Sequence, residues 1–184
     1  SVVHTGGMSI ATGNLYIGGS AGNAIISTGS ILPSANLSYN IGSSTLWWNT
    51  FYGVSTQAKY ADLAERYTAD ADYNPGTVVI FGGEKEITIS GLSHDTRVAG
   101  VVSKKPAFIM NNQNPGVLVA LTGRVQAYVM GPVSKGDRLV NIASGVAGRI
   151  NPGIAQLGCV IGKSLEDHPD VGQVKLVEIA VGKT

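Results

Sequence analysis

Ser93, His94 and Asp95 stand side by side in GLSHDTRVAG and have the chemical types of a nucleophilic relay. Such a relay needs hydroxyl, imidazole and carboxylate to converge in space. Neighbours on an extended segment point to alternate sides instead. The run therefore reads as a polar turn before a strand that begins at Val98. His168 lies in LEDHPD with Glu166, Asp167 and Asp170. A carboxylate-rich loop with one imidazole could hold a cation, but the regular spacing of a calcium loop is missing. That loop reads as a solvated turn. His4, the remaining histidine, is near the start. Cys159 has no second cysteine to pair with, which rules out an intrachain disulfide and argues against a cysteine metal site. Set in QLGCVIG, it reads as a small buried hydrophobe rather than a nucleophile. G-x-S-x-G, HExxH and P-loop motifs are all absent. The expectation is a non-enzymatic chain with no catalytic residue, no cofactor and no metal.

The elements that would carry these residues fall into three regions. Residues 71–184 hold NPG three times, at Asn74, Asn114 and Asn151. Proline followed by glycine suits the two central positions of a type II turn. Around these turns run β-branched stretches: Thr77–Phe81, Glu86–Ser90, Val98–Ser103, Val117–Leu121, Arg124–Val129, Arg138–Asn141, Leu157–Ile161 and Lys175–Ala180. Gly82-Gly83 and Lys135–Asp137 read as strand-linking turns. Short strands at this spacing predict a compact β-barrel or sandwich.

Residues 41–70 form an aromatic cap followed by a short helix. Leu46, Trp47, Trp48, Phe51 and Tyr52 crowd into NIGSSTLWWNTFYG, which carries no charge. From Ala58 the pattern changes: Tyr60, Leu63, Ala64 and Tyr67 recur at helical spacing. Lys59, Asp62, Glu65 and Arg66 take the opposite face, with Asp62 and Arg66 placed to pair. Such a helix is marginal alone, and the aromatics are its nearest docking surface. Residues 1–40 show apolar pulses between Gly, Ser, Thr and Asn, including Leu15 and Ile17 in GNLYIGG and Ile25 in GNAIIS. They predict a β-rich segment that needs neighbouring chains, because an isolated hairpin is marginal in water.

Net charge is +1 and charged residues make up only 14%, so charge points to neither nucleic acid nor a membrane surface. Lys104-Lys105 is too short a basic patch for nucleic acid. No apolar run reaches the 18 or so residues needed to span a bilayer, so membrane insertion is not expected. No basic-then-apolar leader opens the chain, and a start without Met reads as a segment of something longer. Gly is 25 of 184 residues, which fits a turn-rich β protein.

Four stretches carry a resemblance: NIGSSTLWWNTFYG, TQAKYADLAERYTADADYNPGTVVIFGG, DTRVAGVVSKKPAFIMNN and VALTGRVQAYVMGPVSKGDRLV. Together they resemble the C-terminal part of tail-fibre and related structural proteins of tailed bacteriophages, cyanobacterial phages in particular. The likeness covers about residues 40–140 well and the rest loosely. It implies a virion protein of a tail fibre or baseplate, a homotrimer in which a β-rich shaft leads into a globular head. The implied partners are the chain itself, other phage tail or baseplate proteins, and host cell-surface polysaccharide. More distantly, the last domain is similar to self-cleaving chaperone domains that end some phage fibres, but no serine–lysine signature of that kind stands here. A carbohydrate-binding module is the other alternative, with Trp47, Trp48, Phe51 and Tyr52 stacking on sugar rings.

The resemblance gives the uncharged opening a reason. Around a threefold axis a charge would face two like charges, which is costly when desolvated. An uncharged shaft avoids this, and three copies of Trp47 and Trp48 would close its end. The expected interface residues are Leu15, Ile17, Ile25, Leu46, Trp47, Trp48, Phe51, Tyr52, Tyr60, Leu63 and Tyr67.

Overall fold

A computed structural model describes residues 27–182. The chain divides into two compact units, Ser1–Gly53 and Val54–Thr184. In the first unit residues 27–53 form no strand or helix, and every one of them is exposed. Leu15, Ile17, Ile25 and His4 lie outside the described residues. The expected β-rich character of residues 1–40 is not seen in the part described, 27–40.

The second unit is all β. Its ten strands are β1 (Asp62–Tyr67), β2 (Val78–Phe81), β3 (Ile87–Thr88), β4 (Val98–Val102), β5 (Phe108–Met110), β6 (Val117–Met130), β7 (Arg138–Ala143), β8 (Val146–Arg149), β9 (Val160–Ser164) and β10 (Val174–Val181). A closed barrel forms where β6, β8, β7, β9 and β10 pair in a ring. The remaining strands extend from the first half of β6: β4, β2 and β3 in one direction, β1 and then β5 in the other.

Two of the expected strands, Val117–Leu121 and Arg124–Val129, are one continuous strand, β6. The intervening Thr122-Gly123 reads as a break but serves as a bend. Gly123 has φ of +105°, and a Cβ there would come within 2.2 Å of the Ala61 carbonyl oxygen. Only glycine combines that backbone with that approach. The first half of β6 thus serves the outer sheet and the second half the barrel.

Two apolar clusters follow. The barrel interior holds Ala127, Val129, Leu139, Ile161, Val177 and Ile179, with Val78, Ile80, Val98 and Val101 added from β2 and β4. A second cluster has Val79, Ile87, Ala99, Val102 and Val119, with Tyr67, Tyr73 and Leu121 against it. Strands β2 and β4 are buried on both faces because they lie between the two clusters. A bulge shifts their register: Val79 pairs with Gly100 but Ile80 with Val98. Skipping Ala99 resets the alternation, which is why Val98 and Val101 join the same cluster.

The expected helix from Ala58 is corrected: Asp62–Tyr67 is strand β1. A helix of two or three turns would have relied on one docked face. As a strand the segment pairs on both edges, parallel to β5 and antiparallel to β6. Asp62 and Arg66 do not pair. The Arg66 guanidinium donates to the Gly116 carbonyl at 2.8 Å and to Asn112 Oδ1 at 2.9 Å.

The three NPG turns differ. At Asn74 the Thr77 N–H donates to the Asn74 carbonyl at 3.1 Å, and Gly76 takes φ of +99° as a type II turn requires. Gly116 also has positive φ. The third closes with the Ile154 N–H on the Asn151 carbonyl at 3.2 Å and adds a side-chain bond, the Gly153 N–H donating to Asn151 Oδ1 at 3.0 Å.

Candidate functional site

The structure resolves the Ser93–His94–Asp95 question by hydrogen bonding. His94 Nε2 accepts the Asn151 backbone N–H at 3.0 Å. That lone pair is occupied, so neutral His94 carries its proton on Nδ1, 2.7 Å from Ser93 Oγ. The imidazole then donates to the serine and cannot take its proton. Asp95 is turned away. Its carboxylate meets the Arg97 side chain at 3.0 and 2.7 Å and accepts from Ser90 Oγ at 2.7 Å. The Arg97 guanidinium beside it holds the Asp95 carboxyl well below the usual range, with the Arg97 N–H and the Ser90 hydroxyl adding to the effect. His94 itself sits at φ of +59° in a turn. The three residues pin the loop before β4.

The expectation of a solvated turn at His168 is corrected, because its side chain is buried. Nε2 donates to the Gln173 carbonyl at 2.9 Å, and the His168 backbone bonds in both directions with Val133. Nearby carboxylates are occupied. Asp167 Oδ1 accepts from the Lys135 N–H at 2.8 Å, and Asp170 pairs with Lys175, whose ammonium lowers the Asp170 carboxyl. Among the described residues no group of three or more His, Cys, Asp or Glu is placed to hold a metal. Cys159 is fully buried, as its apolar setting predicts.

The expected interface residues within the described part fall in both units. Leu46, Trp47, Trp48, Phe51 and Tyr52 are 59–92% exposed. Among the described residues local turn bonds organise them: the Leu46 N–H donates to Ser43 Oγ at 3.0 Å and Trp47 Nε1–H to the Ser44 carbonyl at 3.0 Å. Leu63 and Tyr67 are half-buried in β1. Tyr67 meets Phe81 edge to face at 5.5 Å. Burial first, then the hydrogen bond to Glu65, pushes the Tyr67 hydroxyl up to about 12.

Tyr60 falls elsewhere, in the feature that stands out as a site. A groove of about 740 Å3 runs over the outer face of β6 and β10. Alternation along β6 turns Val125, Ala127 and Val129 into the barrel and leaves Gln126 and Tyr128 outside. Opposite them on β10, Glu178 pairs with Gln126 and Leu176 with Tyr128. The Asn74 turn forms one wall. Its Gly76 carbonyl accepts the Tyr128 N–H at 2.8 Å, and its Gly76 N–H donates to the Val102 carbonyl at 2.8 Å. Glycine suits that turn because Gly76 sits at φ of +99°, where a side chain would be strained. Ser103, Lys104 and Lys105 follow β4 into the same groove, and Tyr60 and Asp62 reach it at the start of β1.

Asp62 is the unusual member. It is 4% exposed, and its Oδ2 is buried without a hydrogen-bond partner among the described residues. A buried carboxylate oxygen lacking a donor costs about 1–3 kcal/mol or more. The cations are arranged unequally. Arg124 reaches Glu178 at 3.4 Å, whereas exposed Lys104 and Lys105 make no ion pair among the described residues. Sequence reasoning assigned Asp62 to a helix face and passed over Tyr128, because a groove between β6 and β10 depends on strand pairing far apart in the chain. No protein-family model matches the chain, and no curated protein matches it.

Proposed function

We propose that the chain is a structural virion protein, a homotrimeric part of a phage tail fibre or baseplate whose distal β domain supports attachment to a host cell. The observation that carries this is the exposure of every described residue from 27 to 61, with Leu46, Trp47, Trp48, Phe51 and Tyr52 among them. Clustered large apolar side chains of this kind mark an interaction surface. Burying each is worth about 1.5–3 kcal/mol, so a shared interface would gain several kcal/mol per chain. Identical chains are the simplest partner. The stretch carries no formal charge before Lys59, which suits a threefold axis. The resemblance of residues 40–140 to phage tail fibres points the same way. A structural rather than catalytic role agrees with His94 and Asp95 being held in turn contacts.

Light scattering on the chain with and without residues 1–57 tests this. Three chains falling to one on truncation is the expected result. A full-length chain that is monomeric overturns the proposal.

A further inference from the structure

We propose that the β6–β10 groove is a binding site for an acidic saccharide, with Asp62 taking sugar hydroxyls and Lys104 and Lys105 taking the sugar's anionic group. This assignment rests on reading the second unit as an attachment domain, and it names the class of partner that the domain would hold.

Three observations converge on that chemistry. The first is Asp62, whose buried Oδ2 lacks a donor. Oδ2 itself is sealed, so a ligand meets the carboxylate where Asp62 lines the groove, and a sugar hydroxyl can donate there without adding charge. The second is the pair Lys104-Lys105, unpaired among the described residues and lining the same groove. Neither ammonium is engaged in an ion pair among the described residues, so both can take an anion on the ligand. The third is Tyr60 with Tyr128, two rings in a groove that also offers Gln126 and Ser103. Rings of this kind combine apolar area with a polar tip, which suits a ligand with C–H faces and hydroxyl edges. A site with a few convergent polar groups in a concave surface is the usual form of a small-ligand site. A purely cationic ligand would satisfy Asp62 but be repelled by both lysines. A simple anion would satisfy the lysines but be repelled by Asp62. A polyhydroxylated anion satisfies both.

Whether the anionic group is a carboxylate or a phosphate is left to the probes. Calorimetric and NMR titrations of the full chain would use tetragalacturonate, a phosphomannan oligosaccharide, neutral cellotetraose and tetraglutamate. One of the two acidic sugars is expected to bind with Kd below about 1 mM and at least about tenfold tighter than cellotetraose. Shifts should centre on Tyr60, Asp62 and Tyr128. Asp62→Asn exchanges an acceptor for an amide and is expected to weaken binding about tenfold or more. Lys104→Ala with Lys105→Ala alters only exposed residues, so folding is not at issue, and it should erase the preference for the acidic sugar. Absence of binding by either acidic sugar overturns the inference, and so does cellotetraose binding equally well. Tetraglutamate matching the sugars would replace the saccharide by an acidic peptide. Full binding by Asp62→Asn would also overturn it. Native mass measured on the same samples separates this from the fibre proposal: a trimer that binds no sugar sinks only the groove, and a monomer that binds sugar sinks only the trimer.

Discussion

Leu46, Trp47, Trp48, Phe51 and Tyr52 lie exposed in the first unit, while Val78, Val129, Leu139, Ile161 and Ile179 are sealed inside the second. Both groups are strongly apolar, so hydrophobicity alone does not explain the difference. The second unit sets its apolar residues along strands that pair with neighbouring strands. Residues 27–53 of the first crowd them together and form no strand. A core needs apolar area and satisfied peptide groups in the same place. Residues 27–53 have the first requirement alone, and on the trimer proposal a second chain supplies the other.

The largest effect is expected at the aromatics of the first unit, on the proposal that they serve assembly. If its aromatics serve assembly, Trp47→Ala with Trp48→Ala should reduce the trimer to lower mass on light scattering while the thermal unfolding of the second unit holds its midpoint. A drop in that midpoint without loss of trimer would reverse the assignment. Next in size is Gly162→Ala inside the barrel. A Cβ there would approach the Ala180 carbonyl oxygen to 1.9 Å, between two backbones that cannot yield. The expected cost is about 3 kcal/mol or more, seen as a lower urea midpoint. The same exchange at Gly29, where nothing stands within 4 Å, should change stability by less than about 0.5 kcal/mol.

Asp95→Asn comes third. It keeps the shape but weakens the charge-assisted bonds to Arg97 and Ser90, costing about 1–3 kcal/mol. The native carboxyl titrates below its unfolded value, so its contribution is complete above about pH 4. It fades as pH falls below that, toward the depressed native value. Acid titration of stability should therefore be steeper in the wild type than in Asp95→Asn between about pH 4 and pH 2. Parallel curves would show that Arg97 does not hold this carboxylate in solution. Smallest is Arg124→Ala. Its pair with Glu178 spans 3.4 Å with Arg124 well exposed, and should contribute less than about 0.5 kcal/mol by double-mutant cycle.

The β class, the turns at Gly82-Gly83 and Lys135–Asp137 and the burial of Cys159 were legible in the sequence, because each depends on neighbours in the chain. The first of these turns closes with the Gly82 N–H on the Glu86 carbonyl at 3.0 Å, the second with the Asp137 N–H on the Ser134 carbonyl at 3.0 Å. Strands β5 and β8 were not legible. Phe108–Met110 pairs along one edge only, and Val146–Arg149 is held by β6 and β7. The helix from Ala58 misled because Tyr60, Leu63, Ala64 and Tyr67 fit a period of 3.6, yet long-range pairing outweighs a weak local preference. The groove was invisible for a related reason. Its Asp62, Lys104 and Tyr128 come from β1, the end of β4 and β6, and nothing local announces that those strands converge.

Asp62 at the start of β1 and Val181 at the end of β10 both stand opposite Gly123. The second unit therefore begins and finishes its sheet at one spot. Tension applied between those two points would cross a few hydrogen bonds around Gly123 and leave the barrel unstretched. The same closeness makes the unit transplantable: spliced into a surface loop of another protein, it would demand a separation of only about 10 Å, two strand spacings, between that loop's ends.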